Sequence, residues 1–187
     1  MIPFSPPRID QKIIDEVVDT LKSGWITTGP KTKLFEKKIS EYVSCPSTLC
    51  VNSATAGLEL MLRWFGVKEG DEVIVPAYTY CATANVVIHC GATPVLVDVN
   101  PDDFNVSIES IRKAITKNTK VIMPVDIAGY PCNYDRINQL VREKEIQVLF
   151  TAENNIQQTL NRILILQDAA HSFFVYFNYN RVGSVYY

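Results

Sequence analysis

Apolar residues recur in the first part of the chain at the spacing of amphipathic helices. Residues 10–22 place their apolar side chains on one helical stripe, and residues 33–43 repeat this pattern. The intervening residues 24–30 contain glycine and proline, which is typical of a loop. We therefore predict an N-terminal helical segment over residues 1–45.

A different pattern follows this segment, because short apolar runs now alternate with helical stretches. Runs that are apolar throughout indicate strands covered on both faces. Their alternation with helices predicts right-handed βαβ units, and hence an α/β fold with a mostly parallel sheet and helices on both faces. The predicted strands are residues 49–51, 72–75, 94–97, 120–123 and 163–166, and the predicted helices are residues 54–65, 79–89, 108–115 and 134–143. The polar residues 154–161 are expected to form a short helix or a loop.

Composition narrows the range of functions. The 187 residues are 47% hydrophobic and 20% charged, so the chain can bury a core, and a formal charge of -2 does not favour nucleic acid or an anionic membrane as the partner. The sequence shows neither a signal peptide nor a bilayer-spanning stretch. The five cysteines form no CxxC pair and indicate reduced thiols, so we expect a cytoplasmic protein without a metal site.

Ligands of open α/β sheets bind beyond the carboxyl ends of the strands, and the first predicted strand leads into Ser53. At the start of the following helix, free backbone amides and the helix dipole favour an anion such as phosphate. Taken alone, Ser53 is better explained as an ordinary helix cap. The turn lacks the glycine patterns of dinucleotide and P-loop sites, which argues against a Rossmann-type oxidoreductase.

Two further strand ends carry groups that suit a planar, cationic ring. Tyr78 and Tyr80 could stack on such a ring, although aromatic residues there more often serve packing. Asp168 ends an apolar strand and is followed by two alanines and His171. A carboxylate in this position could pair with the protonated ring nitrogen of pyridoxal 5′-phosphate (PLP), which acts as an electron sink. A phosphate site, an aromatic residue and a carboxylate follow one another along the chain. This combination is much less likely to arise by chance than any one of the three features alone.

These residues lie in stretches that resemble the DegT/DnrJ/StrS family of PLP-dependent sugar aminotransferases. The similar stretches are GWITTGP at 24–30, NSATAGL at 52–58, GDEVIVPAYTY at 70–80, ATAN at 82–85, GATP at 91–94, AGYPC at 128–132 and DAAH at 168–171. The resemblance implies the fold type I architecture of aspartate aminotransferase. Residues 46–187 would then be a partial PLP-binding large domain.

The resemblance also implies roles in cofactor binding for the matched positions. The PLP phosphate would be held by three consecutive residues, Ser53, Ala54 and Thr55. Tyr80 would stack on the pyridine ring, Asp168 would bind the ring nitrogen, and His171 would lie near the phenolic oxygen.

For the substrate, the resemblance implies a nucleotide-linked keto sugar that receives an amino group from an amino-acid donor, commonly glutamate. Such a reaction belongs to the synthesis of polysaccharide or glycan precursors, and family members form homodimers that share their active sites. The substrate pocket would be bordered by loop residues of the first similar stretch, Trp25, Thr27, Thr28 and Gly29.

The chain departs from the family pattern after residues 168–171. The Schiff-base lysine of the family is expected soon after this motif, but no lysine follows Lys144, and Phe174 stands where the family has glycine. We therefore expect a chain cut short before the catalytic lysine and the small C-terminal domain, inactive by itself and poorly stable because apolar surface is exposed. A non-catalytic remnant of the fold is one alternative. A PLP-dependent sugar dehydratase, in which histidine replaces the lysine, is another.

Overall fold

The computed structural model describes residues 6–177 and 180–181. The chain divides into two compact units, one formed by residues up to 42 together with 46–50, the other by residues 43–45 and those from 51 onward. No helix within the described residues is long and apolar enough to cross a membrane.

The first unit contains the two helices predicted near the N-terminus. Helix α1 (Gln11–Ser23) begins after Asp10, whose side chain accepts a hydrogen bond from the backbone N–H of Ile13 at 3.2 Å. It ends at Gly24, which adopts the left-handed conformation with φ of 72° that glycine tolerates without strain. Helix α2 (Pro30–Val43) follows, and its last residue belongs to the second unit.

The second unit is built on a four-stranded parallel sheet. Its strands are β1 (Glu72–Pro76), β2 (Thr93–Val97), β3 (Thr119–Ile122) and β4 (Leu164–Ile165), in the spatial order β2-β1-β3-β4. The remaining elements are α3 (Ala54–Phe65), α4 (Cys81–His89), α5 (Ile108–Ala114), a 3-10 turn (Ile127–Gly129), α6 (Tyr134–Val141), α7 (Lys144–Gln147), α8 (Asn155–Leu160) and a short antiparallel pair, β5 (Tyr176–Phe177) and β6 (Asn180–Arg181). The predicted α/β fold with a parallel sheet is confirmed.

Side chains of the sheet alternate between two hydrophobic cores. Val73 and Val75 of β1 are fully buried in one core, together with apolar residues of α3 and α4. Ile74, between them, is fully buried in the other core, together with residues of α5 and α6. Because successive strand residues point to opposite faces, this division places helices on both faces of the sheet, as predicted.

The prediction of a strand at residues 49–51 is wrong. These residues have no regular secondary structure, and the side chains of Leu49 and Val51 are 64% and 43% exposed. The backbone N–H of Cys50 donates to the side chain of Glu36 at 3.0 Å instead of to a strand. An apolar run becomes a strand only beside a hydrogen-bonding neighbour, and the described sheet offers none here.

The carboxyl ends of β3 and β4 are held together by backbone hydrogen bonds. The N–H of Asp168 donates to the carbonyl of Pro124 at 2.9 Å, and the N–H of Asp126 donates to the carbonyl of Asp168 at 3.2 Å. Two carboxylates therefore stand on neighbouring strand ends, at the edge where open α/β sheets bind ligands.

Candidate functional site

The first turn of α3 leaves two backbone amides open to a ligand. Ser53 caps the helix, because its hydroxyl accepts a hydrogen bond from the N–H of Ala56 at 3.1 Å. Within the described part of the chain, the N–H groups of Ala54 and Thr55 have no acceptor. Ser53 and Ala54 are exposed, so an anion can reach these amides from solvent.

Tyr80 stands directly before α4 with an open ring. Its side chain is 77% exposed, the largest exposure among the tyrosines of the described residues, and it caps the helix without a side-chain hydrogen bond. By contrast, the ring of Tyr78 contacts that of Phe104, with their centroids 5.5 Å apart. A planar ligand therefore finds a free aromatic face at Tyr80.

Asp168 is a nearly buried carboxylate with few partners. Its side chain accepts one hydrogen bond from the hydroxyl of Thr83 at 3.0 Å and one from the N–H of Ala170 at 3.3 Å. The residue is 9% exposed, and no lysine, arginine or histidine of residues 6–177 forms an ion pair with it. The charge is thus buried without a counter-ion.

Asp126, on the neighbouring strand end, is satisfied by four donors. The backbone N–H of Cys132 and the hydroxyl of Tyr134 donate to Oδ1 at 3.0 and 2.7 Å. The amide of Gln167 and the hydroxyl of Ser172 donate to Oδ2 at 2.7 and 2.6 Å. These bonds fix the backbone on both sides of Asp168, whose own oxygens keep free lone pairs.

His171 lies in the turn after Asp168, with an exposed side chain. Its carbonyl approaches Gly129 so closely that a Cβ added to this glycine would lie 2.9 Å from the oxygen. Gly129 also has a φ of +83°, so the approach of the two turns requires glycine. The turn carrying His171 is therefore packed against the 3-10 turn at 127–129.

The four candidate substrate residues belong to the first unit. The indole N–H of Trp25 donates to the carbonyl of Thr28 at 3.0 Å, and the indole ring covers Gly29, where it would collide with any Cβ. Together with Thr27, these residues line a cavity of about 590 Å³ that carries several hydroxyl groups. Contacts of Trp25 with Thr28 and Gly29 therefore fix the conformation of this loop.

Contacts within the second unit connect only some of the candidate cofactor residues. Thr83 lies on α4, the helix that Tyr80 caps, and donates a hydrogen bond to Asp168. This bond places the candidates Tyr80 and Asp168 at the same end of the sheet. Ser53, Ala54 and Thr55 lie on α3, which packs against α4, but no hydrogen bond of the described residues joins them to Asp168.

Sequence reasoning gave no role to Thr83, although it lies within the ATAN stretch. A single threonine in a helix does not by itself indicate a functional site. The one sequence feature that indicates a buried hydroxyl is that Thr83 lies on the helix face that also carries Val86 and Val87. Asp126 also has no local signal for its full set of partners, because two of its four donors, Gln167 and Ser172, are 41 and 46 positions away in the chain.

Residues 7–186 match the model of the DegT/DnrJ/EryC1/StrS aminotransferase family. The chain belongs to this family. The family inferred from the sequence motifs is thereby confirmed.

Three relatives show how far the similarity of this family member extends. Uncharacterized protein MJ1066 of Methanocaldococcus jannaschii is 38% identical over 98% of this chain and 43% of its own length. The spore coat polysaccharide biosynthesis protein SpsC of Bacillus subtilis is 36% identical over the same shares. Spr1654 from Streptococcus pneumoniae, assigned as a sugar aminotransferase, is 51% identical in its PLP form, with a TM-score of 0.95 over 98% of this chain and 46% of that one.

The length of these relatives shows how much of the family fold this chain covers. The chain spans less than half the length of the relatives it matches. Its parallel sheet flanked by helices superimposes on part of Spr1654, so the predicted fold type I architecture is confirmed. Spr1654 has been solved in forms with PLP and with pyridoxamine 5′-phosphate (PMP), so the predicted cofactor is the one found in this relative.

Proposed function

We propose that this chain is part of a PLP-dependent aminotransferase acting on the keto group of a nucleotide-linked sugar. Glutamate would be the amino donor, and the product would enter a polysaccharide or another glycan. Family membership and the similarity to SpsC and Spr1654 support this proposal. The proposed enzyme is a cytoplasmic homodimer.

The observation that carries the proposal is the unequal environment of two neighbouring carboxylates. Asp126 has four donors, whereas Asp168 has two and no cation among the described residues. Burying a charge without a counter-ion costs several kcal/mol, so such a carboxylate is a candidate for binding a cationic ligand. The protonated nitrogen of a pyridine ring fits this requirement.

The residues around Asp168 suit the rest of such a cofactor. Ala169 and Ala170 leave room beside the carboxylate, and the exposed ring of Tyr80 offers a stacking face. The phosphate would be bound at the first turn of α3 by Ser53 and by the two following residues, Ala54 and Thr55. When bound, PLP supplies an electron sink for amino transfer.

The remaining candidates would orient the ligands. His171 would lie near the phenolic oxygen of the ring. The substrate sugar would contact the hydroxyl-rich loop of the first unit, at Trp25, Thr27, Thr28 and Gly29. Residues 46–187 would act as a partial PLP-binding large domain, preceded by the helical segment 1–45.

Binding of PMP tests this proposal without requiring a lysine, since PMP carries an amine in place of the aldehyde. We expect the 187-residue chain to bind PMP in a fluorescence titration. Asp168→Asn should weaken binding at least tenfold (roughly 1.4 kcal/mol), because the amide keeps the size but loses the charge. Asp98→Asn is the matched control, since Asp98 is an exposed carboxylate at the end of β2. Equal losses in the two variants would contradict the proposed role of Asp168.

The reaction itself can be tested at the level of the gene. We expect the coding DNA beyond the codon for Tyr187 to encode a Ser-Phe-His-like turn followed by a lysine. A lysine there supports the aminotransferase, whereas a histidine at that position would point to a sugar dehydratase. A genuine stop codon would leave a chain without a Schiff-base lysine and would contradict aminotransferase activity.

A further inference from the structure

Thr83 carries a buried hydroxyl on the helix face that also carries Val86 and Val87. It is 1% exposed and lies one turn before Val86 and Val87, which are fully buried in the core between α3 and the sheet. Its hydroxyl donates to Oδ2 of Asp168 at 3.0 Å, although the two residues are 85 positions apart in the chain. It is the only side-chain donor to this carboxylate among the described residues.

A second hydroxyl stands behind the first. The Oγ1 atoms of Thr79 and Thr83 are 2.9 Å apart. A hydroxyl has one proton, and that of Thr83 is directed to Asp168, so the Thr79 hydroxyl must donate to Thr83. Hydrogen bonds in such a chain strengthen one another in a buried setting.

Thr79 also directly precedes Tyr80 in the loop between β1 and α4. The two hydroxyls therefore connect the loop that carries the open aromatic ring with the carboxylate at the end of β4. Since the backbone of Asp168 is separately fixed to β3, the orientation of its carboxylate depends on these hydroxyls and on the N–H of Ala170.

We propose that Thr79 and Thr83 form a hydroxyl relay that orients the Asp168 carboxylate for a pyridine nitrogen and sets its position relative to Tyr80. Thr83 is thus a positioning residue, and Thr79 supports it. This inference rests on the proposed function, because it concerns how the chain's own residues are arranged toward the proposed cofactor.

The relay has a defined consequence for binding. Each oxygen of Asp168 accepts one hydrogen bond, from Thr83 on one side and from the N–H of Ala170 on the other. Loss of the hydroxyl leaves Oδ2 without a donor and frees the carboxylate to rotate away from the direction of the ring nitrogen. Loss of a hydrogen-bond donor to a charged group in this way weakens ligand binding about tenfold.

Two substitutions at one position test the relay. Thr83→Val keeps the shape and removes the hydroxyl, and Thr83→Ser keeps the hydroxyl. We expect Thr83→Val to weaken PMP binding about tenfold and to move the nitrogen-15 resonance of the ring nitrogen in bound, labelled PMP. Thr83→Ser should return both values to those of the wild-type chain. Thr159→Val, at an exposed position on α8, controls for the loss of a hydroxyl elsewhere.

The outcomes separate the relay from the proposed function. In the cofactor-free chain, the carboxyl-carbon resonance of Asp168 at one neutral pH should move in Thr83→Val and not in Thr83→Ser. Unchanged resonances and unchanged PMP affinity in both variants would overturn the relay. If the wild-type chain binds no PMP, the proposed function fails, while the carboxyl resonance still decides whether Thr83 orients Asp168. If Thr83→Val does not fold, Thr79→Val is expected to show a smaller loss in the same direction, and no loss would overturn the relay.

Discussion

The hydroxyl of Tyr134 donates a 2.7 Å hydrogen bond to the carboxylate of Asp126, and neither residue is exposed to solvent. Burial, together with the charge of Asp126, raises the pKa of Tyr134 far above its usual range, so the hydroxyl remains a donor at any ordinary pH. The bond ties the first residue of α6 to the end of β3. It thereby stabilises the side of the candidate site on which Asp126 supports the turn after Asp168.

Tyr134→Phe is expected to lower the free energy of unfolding by about 1.5–3 kcal/mol, because a buried carboxylate loses one of its donors. The loss can be measured by urea unfolding. Tyr130→Phe is the matched control, because Tyr130 is 62% exposed. Loss of this exposed hydroxyl should change the free energy of unfolding by less than about 0.5 kcal/mol. Equal effects of the two substitutions would show that the bond to Asp126 contributes nothing.

Lys120 and Glu153 should make stability depend on pH. The ammonium of Lys120, whose side chain is 3% exposed, lies 3.1 Å from Glu153, and Lys68 lies 2.5 Å from the other oxygen. The hydrogen bonds and charges of Lys68 and Lys120 lower the pKa of Glu153 from its ordinary 4.5. A lowered carboxyl pKa means that the stabilisation is fully present above 4.5 and is lost as pH falls through the folded value.

We therefore expect Glu153→Gln to be less stable than the wild type at neutral pH, and the difference to shrink as pH falls below 4.5. Urea unfolding at a series of pH values measures this difference. The wild type must be compared with the variant at each pH, because burial raises the pKa of nearby Asp71. A raised carboxyl pKa makes stability change with pH in the opposite direction to the lowered pKa of Glu153. A difference that stays constant down to strongly acidic pH would contradict the ion pairs.

The cysteines should differ widely in reactivity. Cys81 is exposed, whereas Cys132 is 1% exposed, and burial together with the charge of Asp126 raises its pKa to about 12. Since the thiolate is the reactive form, a thiol reagent should modify Cys81 rapidly and Cys132 only after unfolding. Peptide mapping after timed labelling, with and without urea, reports each site. Rapid native modification of Cys132 would contradict its burial beside Asp126.

Apolar runs predicted all four strands of the parallel sheet, and the one predicted strand that did not form shows why pairing matters. Residues 49–51 have the composition of a strand but no neighbour in the described sheet, and the backbone N–H of Cys50 donates to the side chain of Glu36 instead. A single segment does not reveal whether its hydrogen-bonding partner is present. The runs that became β1 and β3 are central in the sheet and have a neighbour on each side.

The candidate cofactor residues could be predicted from the sequence, but the residues that hydrogen-bond to them from elsewhere in the chain could not. Asp168 and Tyr80 stand at strand and helix ends, where the rule for open sheets directs attention. Thr83 hydrogen-bonds to a carboxylate 85 positions away, and two donors to Asp126, Gln167 and Ser172, are 41 and 46 positions away. Such long-range partnerships leave no mark in local composition or periodicity, so only the folded arrangement identifies them.

Gln157 lies in the polar stretch 154–161, for which the sequence predicts a short helix or a loop. The residue is completely buried, its amide donates to the carbonyl of Phe65 at 2.9 Å, and its carbonyl accepts from the N–H of Glu153 at 2.9 Å. It thus joins the end of α3 to the start of α8. Gln157→Leu keeps a similar volume but leaves the N–H of Glu153 without an acceptor, so we expect a loss of about 1–3 kcal/mol in the free energy of unfolding. Gln158→Leu, next to it and exposed, should be nearly neutral, and a comparable loss in both variants would show that the buried bonds of Gln157 are not the cause.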